Sequence, residues 1–160
     1  MDRKILDILQ HDATVPIARI ARQVGLSQTP FWKRIRKHEA AGVIRARVAL
    51  LDPDALGLSL TAFILLEAAD QSPEWRQDFL AAMDGFEAVC EVHRLAGCHD
   101  YLLRGIVPDM AAYERFNDQL TARVRLRRVN LLFALEKLRG CTALPLGGHE
   151  TDPAGALNAG

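Results

Sequence analysis

The first forty residues carry apolar side chains three and four positions apart, the spacing of helices that bury one face. This pattern predicts helices over residues 2–10, 16–24 and 27–41. Asp2 is a candidate N-cap for the first helix, and Ser27 is one for the third. Pro16 suits a first helical turn, and Gly25 permits the positive φ of a tight turn. Short helices joined by such a turn are the layout of a helix-turn-helix.

Beyond residue 42 the pattern changes to short apolar runs separated by turn residues. Residues 43–51 are predicted to form a strand. Asp52-Pro53 and Gly57 mark a linker or turn after it. Later runs predict further strands, and Ser72-Pro73 and Asp109 each open a helix between them. The predicted strands are residues 60–67, 89–95, 101–107 and 129–138. The order β-α-β-β-α-β is typical of the ferredoxin-like fold.

The chain is therefore predicted to be an α+β protein of two domains. A winged-helix-like helix-turn-helix domain would occupy residues 1–44, and a strand linker residues 45–57. A ferredoxin-like domain would follow at residues 58–146. Residues 147–160 are rich in Gly and Ala and are predicted to be a disordered tail.

The same spacing assigns an inward face to the predicted helices. In the third helix the inward residues are Phe31, Ile35 and His38. In the two later helices they are Trp75, Phe79, Leu80, Met83, Tyr113, Phe116 and Leu120.

Charge is distributed unevenly along the chain, although its formal net charge is zero. Residues 1–50 hold ten Lys/Arg against four Asp/Glu, and residues 51–160 hold ten against sixteen. Such asymmetry between halves is a signal of nucleic-acid binding. The basic half is suited to phosphates, and the acidic half is repelled by them.

The cellular compartment and the absence of cofactors are predicted from features that the sequence lacks. No apolar run reaches the ~18 residues of a membrane span, and the N-terminus has no signal-peptide pattern. Cys90, Cys98 and Cys141 are odd in number and lack metal-ligand spacing. These features predict a cytoplasmic protein with free thiols, no metal, no cofactor and no membrane contact.

The third helix carries the residues expected to meet DNA. Ser27, Gln28 and Thr29 lie at its N-terminus, where side chains reach base edges. Basic residues further along are expected to bind phosphates, and Trp32 either touches the sugar-phosphate or packs at the domain surface. The basic residues are Lys33, Arg34, Arg36 and Lys37. The alternative is a solvated basic face on a three-helix bundle.

Two sets of motifs resemble the leucine-responsive regulator/AsnC (Lrp/AsnC) family of transcription factors. The first is L-S-Q-T-P-F-W-K-R-I-R-K-H-E-A-A-G-V-I followed by L-D-P-x-x-L-G. The second is A-G-C-H-D-Y-L-L-R, V-P-D-M-x-x-Y-E-R-F and T-A-L-P-L. The resemblance covers residues 2–146. It implies dimers formed through the C-terminal sheets, octamers in some members, a pseudo-palindromic operator on double-stranded DNA and an amino-acid effector.

The resemblance also implies an effector site. Its candidate residues are Gly97, Asp100, Tyr101, Met110, Leu131, Leu132, Phe133 and Ala134. Asp100 would accept from an ammonium group, and backbone N–H groups near Gly97 would meet a carboxylate. The alternatives are a turn role for Asp100 and core packing for Tyr101 and Met110.

Three departures from the family pattern affect these expectations. His38 replaces a leucine, and Cys98-His99 replaces polar residues in the loop before Asp100. Leu131-Leu132 replaces Ser or Thr, which favours a bulky apolar or aromatic effector.

The sequence favours a sequence-specific transcriptional regulator that responds to a small molecule, an amino acid or an amino-acid catabolite. It is not expected to be an enzyme, because the second half has no Ser-His-Asp spacing, phosphate-binding glycine loop or paired-carboxylate motif. The alternative is an architectural protein that wraps DNA with little effector response.

Overall fold

The computed structural model describes residues 1–146, so the predicted disordered tail lies outside the described residues. The described chain forms two compact units. The first contains Met1–Leu50 and residues 139–146, and the second is Leu51–Leu138. Residues 139–146 therefore pack with the N-terminal unit, whereas the predicted domain boundaries placed them in the ferredoxin-like domain. No helix in residues 1–146 has the length and apolar character needed to cross a membrane.

The first unit is the predicted helix-turn-helix. Its helices are α1 (Asp2–His11), α2 (Ile17–Gln23) and α3 (Gln28–Ala40). Their apolar stripes meet in a small core of Ile5, Ile20, Ala21, Phe31 and Ile35. Gly25 takes a φ of 70° between α2 and α3, and the Leu26 N–H donates to the Ala21 carbonyl at 2.8 Å.

The structure differs from the prediction at two helix N-caps. Met1 rather than Asp2 precedes α1, and the Asp2 carboxylate forms an ion pair with Arg34. Ser27 is the N-cap of α3, but its side chain forms no capping hydrogen bond.

The predicted linker strand is wrong for the single chain. No strand lies between α3 and Pro53. Val48, Leu50 and Leu51 are about three-quarters exposed (72–75%). Apolar, β-branched composition alone does not form a strand, because the backbone groups of a strand need a partner strand. A 3-10 turn follows at Asp54–Leu56.

The second unit is a four-stranded antiparallel sheet with two helices. Its elements are β1 (Leu60–Ala68), α4 (Pro73–Asp84), β2 (Val89–Arg94), β3 (Tyr101–Val107), α5 (Met110–Arg123) and β4 (Leu126–Phe133). The strand order is β2-β3-β1-β4, which confirms the predicted ferredoxin-like arrangement. Alternate residues of β1 and β3 are buried against α4 and α5 in one core.

The last strand is displaced from its predicted position. β4 begins at Leu126 instead of residue 129 and ends at Phe133 instead of residue 138. Phe133 pairs with Ala62, close to where β1 begins, so the strand loses its partner beyond this point. Leu135 and Leu138 are consequently exposed.

The predicted inward faces of α4 and α5 are confirmed except at Leu80. Trp75, Phe79 and Met83 follow one another at four-residue spacing and face the core, whereas Leu80 is 47% exposed. Leu80 lies about 100° around the helix from Phe79, outside the stripe that the sheet covers. Tyr113, Phe116 and Leu120 are buried as predicted.

Removing the N-cap of α5 should cost measurable stability. The Asp109 carboxylate accepts from the Ala112 N–H at 2.7 Å. We expect Asp109→Ala to lower the free energy of unfolding by about 1 kcal/mol, as for other N-cap carboxylates. Urea denaturation measures this change. Asp118→Ala, at an exposed position inside the same helix, is the control. An equal effect of both variants would contradict the capping role.

Candidate functional site

The outward face of α3 carries the predicted DNA-contacting residues. Thr29, Trp32, Lys33 and Arg36 recur at helical spacing and line one shallow depression. Trp32 is 41% exposed. Ser27, Gln28 and Lys37 are also exposed. The helix therefore presents an aromatic ring among cationic side chains, with polar side chains at its N-terminal end.

Arg34 is the exception among these residues. It lies on the flank of α3, where its Nη1 donates to Asp2 Oδ1 at 2.5 Å. A guanidinium neutralised by a carboxylate has less charge to offer a phosphate. The predicted phosphate contact of Arg34 is therefore not supported by the geometry, which instead has Arg34 joining α3 to α1.

His38 faces the core of the first unit, as its position in the helix predicted. It is 2% exposed, and its Nε2 lies 3.7 Å from Asp2 Oδ2. Within residues 1–146 this nitrogen has no hydrogen-bond partner. Asp2 thus faces two side chains from successive turns of α3, and this contact between α1 and α3 was not predicted.

A second contact that the sequence did not reveal involves the C-terminal segment. The Gln10 amide donates to the Leu144 carbonyl at 3.1 Å, and the Leu144 N–H donates to Gln10 Oε1 at 2.8 Å. This paired arrangement fixes the backbone of residue 144 on α1. The T-A-L-P-L motif marks the segment in the sequence but gives no information about its partner.

The candidate effector residues form two groups on the two sides of β1. Gly97, Asp100 and Tyr101 lie where β1 ends, because the Asp100 N–H donates to the Leu66 carbonyl at 2.9 Å. Residues 131–134 run from the middle of β1 towards its start, with Leu131 opposite Ile64 and Phe133 opposite Ala62. Met110 opens α5 just after β3 ends, at the same end as residues 131–134. Along β1, Leu131 is two residues (about 7 Å) from the position opposite Tyr101, and Phe133 is four residues (about 13 Å) from it. β1 lies between the two groups, because Tyr101 is on β3 and residues 131–133 are on β4.

Asp100 holds its loop to the end of β1. Its Oδ2 accepts from the Ala68 N–H at 2.8 Å, and its Oδ1 accepts from the Gln71 amide at 2.9 Å. The turn role that the sequence left open is therefore present in the structure. Each carboxylate oxygen keeps a lone pair for a further donor.

The other candidate effector residues differ in accessibility. Tyr101 is buried, with its ring centroid 4.8 Å from that of Phe79, so it belongs to the core. Phe133 packs edge-on against Tyr113 at 5.2 Å. Leu131 and Ala134 are half-buried, whereas Met110 and Leu132 are 47% and 56% exposed. Only Met110 and Leu132 of the second group therefore offer substantial surface to a ligand.

The sheet face opposite the helices is apolar at its centre and charged at its edge. Phe63, Leu65, Leu102, Ile106 and Leu132 share this open face by strand register. No helix of the described chain covers it. At the β2 edge Arg104 binds Glu91 at 2.7 Å, with His93 beside it. The described residues contain no group of His, Cys, Asp and Glu that would hold a metal ion.

The Glu91 carboxylate at the β2 edge makes the free energy of unfolding depend on pH. Hydrogen bonds from Arg104, and then from His93, hold the pKa of Glu91 below its ordinary value. Glu91 therefore stabilises the fold above its unfolded pKa, and this contribution is lost as the pH falls through the folded pKa. We expect Arg104→Gln to cost at most about 1 kcal/mol at pH 7, because the pair is half-exposed. The cost should shrink towards pH 3 in urea titrations; a cost independent of pH would contradict this assignment.

Known families match both compact units. Residues 1–37 match the AsnC-type helix-turn-helix domain, and residues 61–144 match the Lrp/AsnC ligand binding domain. The glutamate uptake regulatory protein of Zymomonas mobilis is 44% identical over 145 residues, which are 91% of this chain and 88% of that protein.

Solved structures agree with these matches. An AsnC family transcriptional regulator from Agrobacterium tumefaciens has 47% sequence identity and a TM-score of 0.85, covering 91% of this chain and 95% of its own. A transcriptional regulator from Neisseria meningitidis, solved as an L-Met complex, has 32% identity and a TM-score of 0.84 with the same coverages. The similarity therefore includes elements of both compact units.

Proposed function

Because this chain belongs to the Lrp/AsnC family and is a DNA-binding transcriptional regulator, we propose that α3 reads its operator and that the second unit binds an amino-acid effector. The exposed face of α3 carries this proposal. It places cationic side chains and an aromatic ring on the one helix that a helix-turn-helix inserts into the major groove.

The roles of the residues on α3 follow from their positions. Ser27, Gln28 and Thr29 are exposed at the N-terminal end, where they would meet base edges. Further along, the exposed cations would bind phosphates and fix the register of the helix on DNA without reading sequence. These cations are Lys33, Arg36 and Lys37.

The assembly is proposed to be a homodimer through the apolar centre of the open sheet face, with octamers as a further step. An apolar centre with a charged edge is the composition of a protein–protein interface. A two-fold dimer would read a pseudo-palindromic operator.

The effector is proposed to be an amino acid bound in the cytoplasm. Backbone N–H groups near Gly97 and the Asp100 carboxylate lie together at the end of β1, where they would meet the carboxylate and ammonium of such a ligand. The Neisseria meningitidis regulator, solved with L-Met, supports this ligand class.

DNA binding with and without amino acids tests the proposal. The probe is a labelled fragment from upstream of the protein's own gene, and the competitor is unrelated DNA. We expect salt-sensitive, sequence-preferring binding whose affinity or stoichiometry changes with at least one of the twenty amino acids. Absence of sequence preference would reject the reading role. A long periodic footprint that no amino acid changes would support the architectural alternative instead.

A single substitution separates base reading from backbone binding. Gln28→Ala is expected to relax preference at one base position, with a loss of about 1–3 kcal/mol of discrimination there. Binding to each single-base variant of the operator measures this effect. Unchanged preference at every position would mean that the N-terminal end of α3 is not in the groove.

A further inference from the structure

A β-bulge directs two consecutive arginines to one carboxylate. In the β1–β4 register Glu67 pairs with Arg128 and Ala68 pairs with Leu126, so Arg127 is an extra residue. Consecutive residues of a regular strand point to opposite faces, and a bulge re-aims one of them. Arg127 donates to Glu67 Oε2 from Nε at 3.0 Å, and its Nη2 lies 2.8 Å from the same oxygen. Arg128 Nη1 lies 3.6 Å from Glu67 Oε1.

The carboxylate of this cluster is buried, whereas its arginines are not. Glu67 is 9% exposed, but the Arg127 and Arg128 side chains are 72% and 65% exposed. His99 Nδ1 lies 3.7 Å from Glu67 Oε1 and is buried without a hydrogen-bond partner among residues 1–146. We call Glu67, His99, Arg127 and Arg128 the bulge cluster.

The bulge cluster has more cationic capacity than its one carboxylate satisfies. Arg127 uses two of its nitrogens on Glu67, but Arg128 is too far for a hydrogen bond. A guanidinium has five N–H donors arranged to match a carboxylate in a bidentate way. Arg128 therefore has donors available for a second anion, and the Glu67 carboxylate competes with that anion for the arginines.

The bulge cluster adjoins the loop that holds the first group of candidate effector residues. His99 belongs to the cluster, and its neighbour Asp100 accepts from the N–H of Ala68, the residue after Glu67. A ligand whose amino-acid moiety lay on the Gly97 loop would thus have the arginines beside its side chain. Leu131 and Leu132, which favoured an apolar effector, pair with Ile64 and Phe63 near the middle of β1, three and four residues from Glu67.

We propose that Arg127 and Arg128 form an anion subsite that selects a dicarboxylic amino acid as the effector. This inference rests on the proposed effector-binding role of the second unit. A side-chain carboxylate would make a charge-assisted bidentate pair with Arg128, whereas a carboxamide brings no charge and one acceptor oxygen. The site therefore discriminates an acid from its isosteric amide.

Calorimetric titration of the full chain with L-glutamate, L-glutamine, L-aspartate and L-asparagine tests this discrimination. We expect one of the two acids to bind about tenfold or more tightly than its amide, the scale of one charged hydrogen-bonded pair. Arg128→Gln should abolish that preference. Arg115→Gln, at an exposed position on α5 outside the cluster, is the matched control and should retain it.

A variant that is expected to tighten ligand binding separates a ligand-binding role of the bulge cluster from a purely structural one. Glu67→Gln removes the competing negative charge, so it should tighten binding of the preferred acid several-fold. A purely structural ion cluster would be weakened by both Arg128→Gln and Glu67→Gln. Circular dichroism of each variant checks that the sheet is intact.

Several results would overturn the proposal. These are equal binding of acid and amide, no binding of either acid at 10 mM, or a preference that survives Arg128→Gln. A loss of DNA affinity in Arg128→Gln without ligand, with a shallower salt dependence, would assign the arginines to nucleic acid instead. If a neutral amino acid changes DNA binding, the proposed function stands although this inference fails. If none of the twenty does, the effector role itself fails.

Discussion

Replacing Lys33 and Arg36 together with alanine is expected to weaken DNA binding by about 60-fold at 0.1 M salt. Each phosphate contact steepens the dependence of log affinity on log salt by about 0.9, which is about eightfold in affinity per contact at that salt concentration. Both side chains are exposed on the outward face of α3. The slope should therefore fall by about two, and the loss should be the same for operator and unrelated DNA.

Arg34 provides the matched control for this double variant. It is a cation of the same helix, but its guanidinium is paired with Asp2. Arg34→Ala is expected to leave the salt slope nearly unchanged. Titrations at four salt concentrations measure the slopes. A slope that falls by one in Arg34→Ala, or stays constant in the double variant, would show that the wrong side of α3 has been assigned to DNA.

Phe31→Ala is expected to abolish DNA binding by unfolding the first unit. The Phe31 side chain is fully buried (0% exposed) and is one of five buried apolar residues that form the core of the described part of that unit. Truncating a buried phenylalanine costs about 3–5 kcal/mol. A helical unit of this size has only a few kcal/mol of stability to lose. The second unit has its own core and should remain folded.

Calorimetry and DNA titration together measure this result. We expect the helical unit to lose its thermal transition while the second unit keeps its own. Leu80→Ala removes an apolar side chain of α4 that is 47% exposed, and it should change stability by less than about 0.5 kcal/mol. Retention of wild-type DNA affinity by Phe31→Ala would contradict the assignment of Phe31 to the core that supports α3.

Features set by short-range spacing were predictable from the sequence. Helical periodicity located α1 to α3, and Gly25 located the turn before α3. Alternation and turn residues located β1 and β3, and Asp109 located the start of α5. The burial of His38 also followed from its position in the helix. These features depend on residues within a few positions of each other.

Features set by distant partners were not predictable. Arg34 has the local pattern of a phosphate ligand, and only folding brings Asp2 to it. The pairing of Gln10 with Leu144 joins residues 134 positions apart. The bulge at Arg127 depends on how β4 aligns with β1, which composition does not specify. Residues 43–51 have strand composition but no partner strand within residues 1–146.

The chain contains two tryptophans, one in each compact unit, and this division has an optical consequence. Trp32 lies on the outward face of α3, so bound DNA would change its fluorescence emission. Trp75 stacks on Phe79 at 5.1 Å and donates from Nε1 to the Arg125 carbonyl at 3.1 Å, beside the basic start of β4. Its emission would respond to a ligand at that end of the sheet. Trp32→Phe and Trp75→Phe would therefore make operator occupancy and effector occupancy readable separately, without an added label.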